Sequence, residues 1–132
     1  MPTNKSDLQT LSKLGNKKAT AERTLEVFPN HAPGKMTITL HCTEFTCLCP
    51  VTGQPDYAQI EITYVPDKFV VESKSMKLYL ETYRNEGVFH EHLAVDIASD
   101  FAKFIKPHSV NVLVKFNVRG GIAINAEYRW EK

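Results

Sequence analysis

The sequence has almost no excess charge, few cysteines and no long apolar run, and each shortage closes off a class of protein. Lysine and arginine number 16 against 15 acids, leaving a net charge of +1 over 132 residues. Dedicated nucleic-acid binders carry a basic surplus, so no direct nucleic-acid partner is expected. No stretch approaches the roughly 20 apolar residues that span a bilayer, and MPTNKSDLQT at the start lacks the apolar stretch of an export signal. No membrane partner is expected either. The three cysteines, Cys42, Cys47 and Cys49, are odd in number and crowded into one segment, which suits a reducing compartment better than a disulfide framework. A cytoplasmic location follows as an expectation. The chain has no GxGxxG, so a dinucleotide must bind without a Rossmann fingerprint. Internal repeats and low-complexity tracts are also missing.

What is there fits one domain. Residues 1–33 are polar and broken by Gly15, Pro29 and Pro33, and read as an N-terminal arm, with Lys17, Lys18 and Arg23 solvated; residues 34–132 form the single domain. Lys35 to Cys42 alternates Met36, Ile38 and Leu40 with polar residues, and Ala58 to Val65 repeats the pattern with Ile60, Ile62 and Tyr64, the period of half-buried strands. Between them EFTCLCPVTGQPD reads as a long loop because Pro50, Gly53 and Pro55 oppose regular structure. The spacing of Met76, Tyr79, Leu80 and Tyr83 predicts a helix over 73–84, and that of Leu93, Ala94, Ile97, Phe101, Phe104 and Ile105 a second over 91–105. Strands at 110–118 and 122–130 flank a tight turn at Arg119, Gly120 and Gly121. The order ββααββ implies an α+β fold, a four-stranded antiparallel β-sheet with two helices on one face. Apolar residues on both strand parities point to oligomerisation.

Cys49 stands out on chemical grounds. It lies in a Pro- and Gly-containing loop with Asp56 at the far end, and loops on a rigid sheet are where reactive groups are displayed. A thiol of ordinary pKa, about 8.5, needs thiolate stabilisation or a proton acceptor to act as nucleophile, and Asp56 can be that acceptor and later return the proton. The same residues also fit a small buried thiol and a turn aspartate. His41, Cys42, Cys47, Cys49, His90 and His92 raise the question of zinc, but Cys47 and Cys49 stand one residue apart, against the two to four of typical zinc pairs. No metal is expected.

Lys74 and Lys77 fall at i, i+3 near a predicted helix start, where free N–H groups and ammonium charge together can hold phosphate. Arg119, beside its glycines, can add a forked donor. Phe89, His90 and Glu91, in FHEH, set an aromatic face, an imidazole and a carboxylate side by side; a carboxylate can take two hydrogen bonds from a guanine-type edge while the ring stacks. Each has an ordinary reading too, as a solvated face, helix-terminal charge or core packing.

Together, EFTCLCPVTGQPD, VESKSMKLY, FHEH and RGGI resemble the unimodular NADPH-dependent 7-cyano-7-deazaguanine reductases of queuosine biosynthesis, members of the tunnelling fold, with likeness from about Leu11 to Trp130. The resemblance implies reduction of a nitrile to an amine, with Cys49 adding to the nitrile carbon as a thioimide, Asp56 protonating the nitrogen and His90 assisting. It implies Val71, Glu72, Ser73, Phe89, His90 and Glu91 as contacts of the deazaguanine, and Lys74, Lys77 and Arg119 as contacts of NADPH phosphates. It further implies a ring-shaped homo-oligomer with active sites at subunit interfaces and a closed, dry pocket around Cys49. A zinc-dependent tunnelling-fold hydrolase of a pterin or purine ring is the alternative. Some relatives carry a second cysteine in the helix after the HE motif, where this chain has Leu93; a free Cys49 thiol is therefore expected.

Overall fold

The computed structural model describes residues 2–132. Among these residues the chain forms β1 (Val27–Pro29), β2 (Ile38–Leu48), β3 (Pro55–Val65), β4 (Phe69–Val71), α1 (Ser73–Glu81), α2 (His90–Phe104), β5 (Ser109–Phe116) and β6 (Asn125–Glu131), after a 3-10 turn at Lys5–Leu8. The main sheet is antiparallel, in the order β2-β3-β5-β6. Its inner face presents Phe45, Cys47, Ala58, Ile60, Ile62, Tyr64, Val110, Val112, Val114 and Phe116, all buried. Against them pack Met76 and Tyr79 from α1 and Leu93, Ile97 and Phe101 from α2. Both helices therefore cover one face, as the alternation and the helical stripes require. The opposite face is polar, with Glu61 beside Lys115 at 3.7 Å. No helix among the described residues is long and apolar enough to cross a membrane.

The sequence reading ends β2 too early. The strand continues through Phe45 and Cys47 because its register slips between Cys42 and Phe45: Cys42 faces Ile60, whereas Phe45 faces Ala58. One extra residue makes a bulge, which moves the inward side chains from even to odd positions. A bulge of this kind breaks the alternation in the sequence and so resembles a loop. The true connection is only 49–54, and Asp56 is not a turn residue but the first inward side chain of β3.

The arm is built into the fold. β1 pairs with β4, Val27 opposite Val71, and the Glu26 backbone clasps the start of α1: its carbonyl accepts from the Glu72 N–H at 2.9 Å and its N–H donates to Ser75 Oγ at 2.9 Å. Arg23 is not solvated; its guanidinium lies 3.8 Å from the centre of the Tyr83 ring and donates to Thr82 Oγ1 at 2.6 Å. The glycine turn expected at Arg119 to Gly121 is present, with Arg119 and Ile122 exchanging backbone hydrogen bonds of 2.9 and 3.0 Å across Gly120 and Gly121, both at positive φ, but the flanking strands are shorter than expected, for β5 stops at Phe116 and β6 begins at Asn125. Arg119 and Ile122 form an isolated bridge within this longer connection.

Candidate active site

Closing the β2–β3 hairpin sets Cys47 opposite Asp56, so Cys49, two residues further along, comes to the same end of the sheet. The 49–54 turn is tied by Cys49 N–H to the Gln54 carbonyl at 2.8 Å and by Gly53 N–H to the Cys49 carbonyl at 2.9 Å. Behind it the segment after α1 runs close: Leu48 N–H donates to the Glu86 carbonyl and Val88 N–H to the Leu48 carbonyl. Gly87 has to be small there, because a β-carbon would lie 2.9 Å from Pro50 Cα. The same segment leads into α2, which begins at His90. The result is a cleft of about 370 Å³ lined by Cys49, Thr52, Asp56, Phe89, His90, Glu91, Arg119 and Ile124.

Asp56 is the buried hub of this cleft. His90 Nε2 lies 3.3 Å from one carboxylate oxygen, and Arg119 donates to the other. The His90 ring lies flat on Phe116, and its buried Nδ1 has no hydrogen-bond partner among the described residues. A proton on Nδ1 would leave a buried donor unpaired, which costs about 1–3 kcal/mol; the favoured tautomer carries it on Nε2 and donates to Asp56. Arg119 also donates to Gln54 Oε1 at 2.8 Å. Its guanidinium thus bridges Asp56 and Gln54 while the side chain remains exposed.

All three cysteines are free thiols, but their environments differ. Burial pushes Cys47 up to about 12 and also raises Cys42. Cys49, half-buried at the cleft, is held below the ordinary thiol value by the Thr52 side chain and by the N–H groups of Thr52 and Val51. The negative charge of Asp56 acts in the opposite sense. Thr52 and Gly87 are not singled out by sequence reasoning. The proximity of Thr52 to a Pro- and Gly-bounded cysteine was a usable signal, whereas the contact of Gly87 with Pro50 joins distant parts of the chain.

The α1 residues are elsewhere. Val71 N–H donates to the Tyr64 hydroxyl at 3.1 Å, at the far end of β3 from Asp56; eight strand residues at about 3.3 Å each put roughly 26 Å between those ends. None of Val71, Glu72, Ser73, Lys74 and Lys77 lines the Cys49 cleft. Nor are the first amides of α1 free for phosphate. The buried Glu72 carboxylate caps them, accepting from Lys74 N–H at 2.7 Å and Ser75 N–H at 2.8 Å, so only the ammonium groups remain for an anion. Ser73 and Lys77 border a separate groove between α1 and β2, with Leu40, Cys42, Met76 and Leu80. Among the described residues no group of three or more His, Cys, Asp or Glu side chains is arranged to hold a metal ion.

Residues 55–132 match the family model described as QueF-like protein. The chain is 47% identical over 127 residues to the NADPH-dependent 7-cyano-7-deazaguanine reductase of Syntrophus aciditrophicus, covering 96% of this chain and 90% of that protein. It is 50% identical over 122 residues to the enzyme of the same name from Frankia casuarinae, covering 92% and 97%. Its fold matches the crystal structure of the archaeosine synthase QueF-Like in the apo form with a TM-score of 0.68, over 74% of this chain and 94% of that one, at 23% identity. At that identity the likeness speaks for the shared fold, the tunnelling fold.

Proposed function

Because the chain belongs to the family of NADPH-dependent 7-cyano-7-deazaguanine reductases, we propose that it reduces the nitrile of 7-cyano-7-deazaguanine to the amine of 7-aminomethyl-7-deazaguanine through a thioimide on Cys49, a step of queuosine biosynthesis. The observation that carries the covalent route is the cleft that gathers Cys49, Asp56 and His90 with Phe89 and Glu91. Cys49 gives its proton to Asp56 as the sulfur attacks the nitrile carbon, and Asp56 passes that proton to the nitrogen, leaving a thioimide. His90 holds the Asp56 carboxyl in place through Nε2. Covalent attachment replaces a poor hydride acceptor by a C=N carbon and divides one hard step into two.

NADPH supplies the hydrides, two per nitrile, with two protons taken up. After the first reduction the carbon carries sulfur, hydrogen and an amino group; Cys49 leaves as thiolate, and the resulting imine is reduced to the amine. Phe89 stacks on the base and Glu91 accepts from its N–H edge. Lys74, half-buried, and Lys77, exposed, fit cofactor phosphates as point charges, and Arg119, held at Asp56 in the free chain, joins them when a phosphate competes for it.

Val71, Glu72 and Ser73 reach the base only if a second copy brings its α1 to this cleft. Two features favour such an assembly. In one chain β2 and β6 are sheet edges with unpaired backbone groups, which invite pairing. Exposed Phe89 and Ile124 line the cleft and give it apolar surface that a neighbour can cover, and covering it keeps water from hydrolysing the imine. The active unit is thus a homo-oligomer, with residues 1–33 as an arm on a single reductase domain, working in the cytoplasm.

The test is stoichiometric. Purified protein supplied with the nitrile and NADPH oxidises two NADPH per amine formed; no oxidation with authentic nitrile rejects the reading, and ring opening without NADPH favours the hydrolase.

A further inference from the structure

The N-terminal arm reaches the segment on which the Cys49 turn rests, and one of its side chains makes the contact. We infer that Arg23 is a positioning residue for the reaction at Cys49: it holds residues 82–88 in place, and through them both the turn that carries the sulfur and the start of α2 that carries His90. This deepens the covalent reading and rests on Cys49 and His90 being the working groups.

Residues 82–88 need support from outside. α1 ends at Glu81, and the chain then runs through successive turns, closed by Tyr83 N–H to the Leu80 carbonyl at 3.2 Å, Arg84 N–H to the Glu81 carbonyl at 3.1 Å and Glu86 N–H to the Tyr83 carbonyl at 3.0 Å. Arg84, Asn85, Glu86 and Gly87 are exposed, so burial does not fix them, and segments with few buried contacts open readily. The site nevertheless leans on this segment. The Glu86 carbonyl accepts from Leu48 N–H at 3.0 Å, and the Leu48 carbonyl accepts from Val88 N–H at 3.1 Å. Cys49 directly follows Leu48, and Phe89 and His90 directly follow Val88.

Arg23 grips this segment at two separated points. Its Nε donates to Thr82 Oγ1 at 2.6 Å and its Nη2 to the Glu86 carboxylate, while the guanidinium covers the Tyr83 ring between them, 3.8 Å from the ring centre. A planar fork can make all of these contacts in one orientation; an ammonium keeps the charge over the ring but loses the fork. The base of the side chain is itself fixed, since Leu25 is buried and the Glu26 backbone is tied to Glu72 and Ser75. A partly exposed ion pair adds little to overall stability, so the worth of Arg23 lies in where it holds the segment. The path from guanidinium to sulfur is short: side chain of Glu86, carbonyl of Glu86, amide of Leu48, then Cys49.

The experiment compares full-length wild type with Arg23→Gln, Arg23→Lys, Glu86→Gln and the double variant Arg23→Gln/Glu86→Gln. Hydrogen exchange read by mass spectrometry needs neither nitrile nor NADPH. In Arg23→Gln the peptides spanning Leu48 and Val88 are expected to exchange about tenfold faster, with those of β3 and β5 unchanged. Steady-state kinetics, at a temperature where every variant is fully folded, separate position from stability. For Arg23→Gln kcat is expected to fall about tenfold with KM for nitrile and for NADPH near wild type, and Arg23→Lys to fall less. The double variant is expected to match Arg23→Gln, because both changes act through one contact. Should Arg23→Gln fail to fold, Arg23→Lys and Glu86→Gln supply the same comparison. Unchanged exchange at Leu48 and Val88, unchanged kcat, fully additive losses in the double variant, or faster exchange spread evenly over β3 and β5 overturns the inference. If wild type turns over nitrile without an adduct at Cys49, the thioimide reading falls while exchange and kcat still judge Arg23. If the adduct forms but neither exchange nor kcat moves, the role of Arg23 alone falls.

Discussion

The His90 ring lies on Phe116 with ring centres 3.4 Å apart and planes inclined by 4°. This contact joins the start of α2 to the end of β5 and fixes the plane in which Nε2 meets Asp56. Phe116→Leu keeps most of the apolar volume, and a stability cost below about 1.5 kcal/mol is expected. The imidazole loses its platform, however, so kcat is expected to fall by about tenfold to a hundredfold, as small misplacements of catalytic groups cost. Thermal denaturation and steady-state kinetics on the same preparation separate the two effects.

Gly87→Ala tests the backing of the Cys49 turn. The added carbon lies 2.9 Å from Pro50 Cα, an atom of the main chain that cannot swing aside. Overpacking of this kind costs about 1–3 kcal/mol, and the strain falls on the residue next to Cys49. Lower Tm together with slower nitrile adduct formation is predicted; unchanged values of both contradict the contact.

Glu72→Ala removes the carboxylate that caps α1. A lost N-cap costs about 0.5–2 kcal/mol, measurable as a shift of the urea midpoint without a change of slope. Glu72→Gln keeps a capping oxygen and is predicted to recover most of the stability but not the affinity for the base.

Lys74→Ala and Lys77→Ala are predicted to raise KM for NADPH while leaving adduct formation in its absence near wild type. Arg119→Gln is predicted to change both, because the free chain pairs the guanidinium with Asp56. An Arg119 variant altered in NADPH affinity alone means that this pair has no part in the covalent step.

Much of the fold was legible because burial imposes its period. The inward run of Ala58, Ile60, Ile62 and Tyr64 and the stripe of Leu93, Ile97 and Phe101 are readable without coordinates. The bulge in β2 was not, since one extra residue exchanges the parity that reveals a strand. β1 and β4, three residues each, are too short to show a period at all. At the site, Cys49 and Asp56 were legible together because a hairpin closes between them. The pairing of Asp56 with Arg119 spans 63 positions and depends on how β5 and β6 are joined, which local spacing does not record. The same holds for α1, whose helical stripe was clear while its distance from Cys49 was not.

Everything in the covalent account passes through one bond to sulfur, and intact-mass spectrometry reads that bond directly. Wild-type protein mixed with 7-cyano-7-deazaguanine and no NADPH is predicted to gain the mass of one nitrile, located at Cys49 and lost in Cys49→Ala. A wild-type protein that turns over nitrile yet shows no such gain, or a Cys49→Ala variant that retains it, contradicts the account.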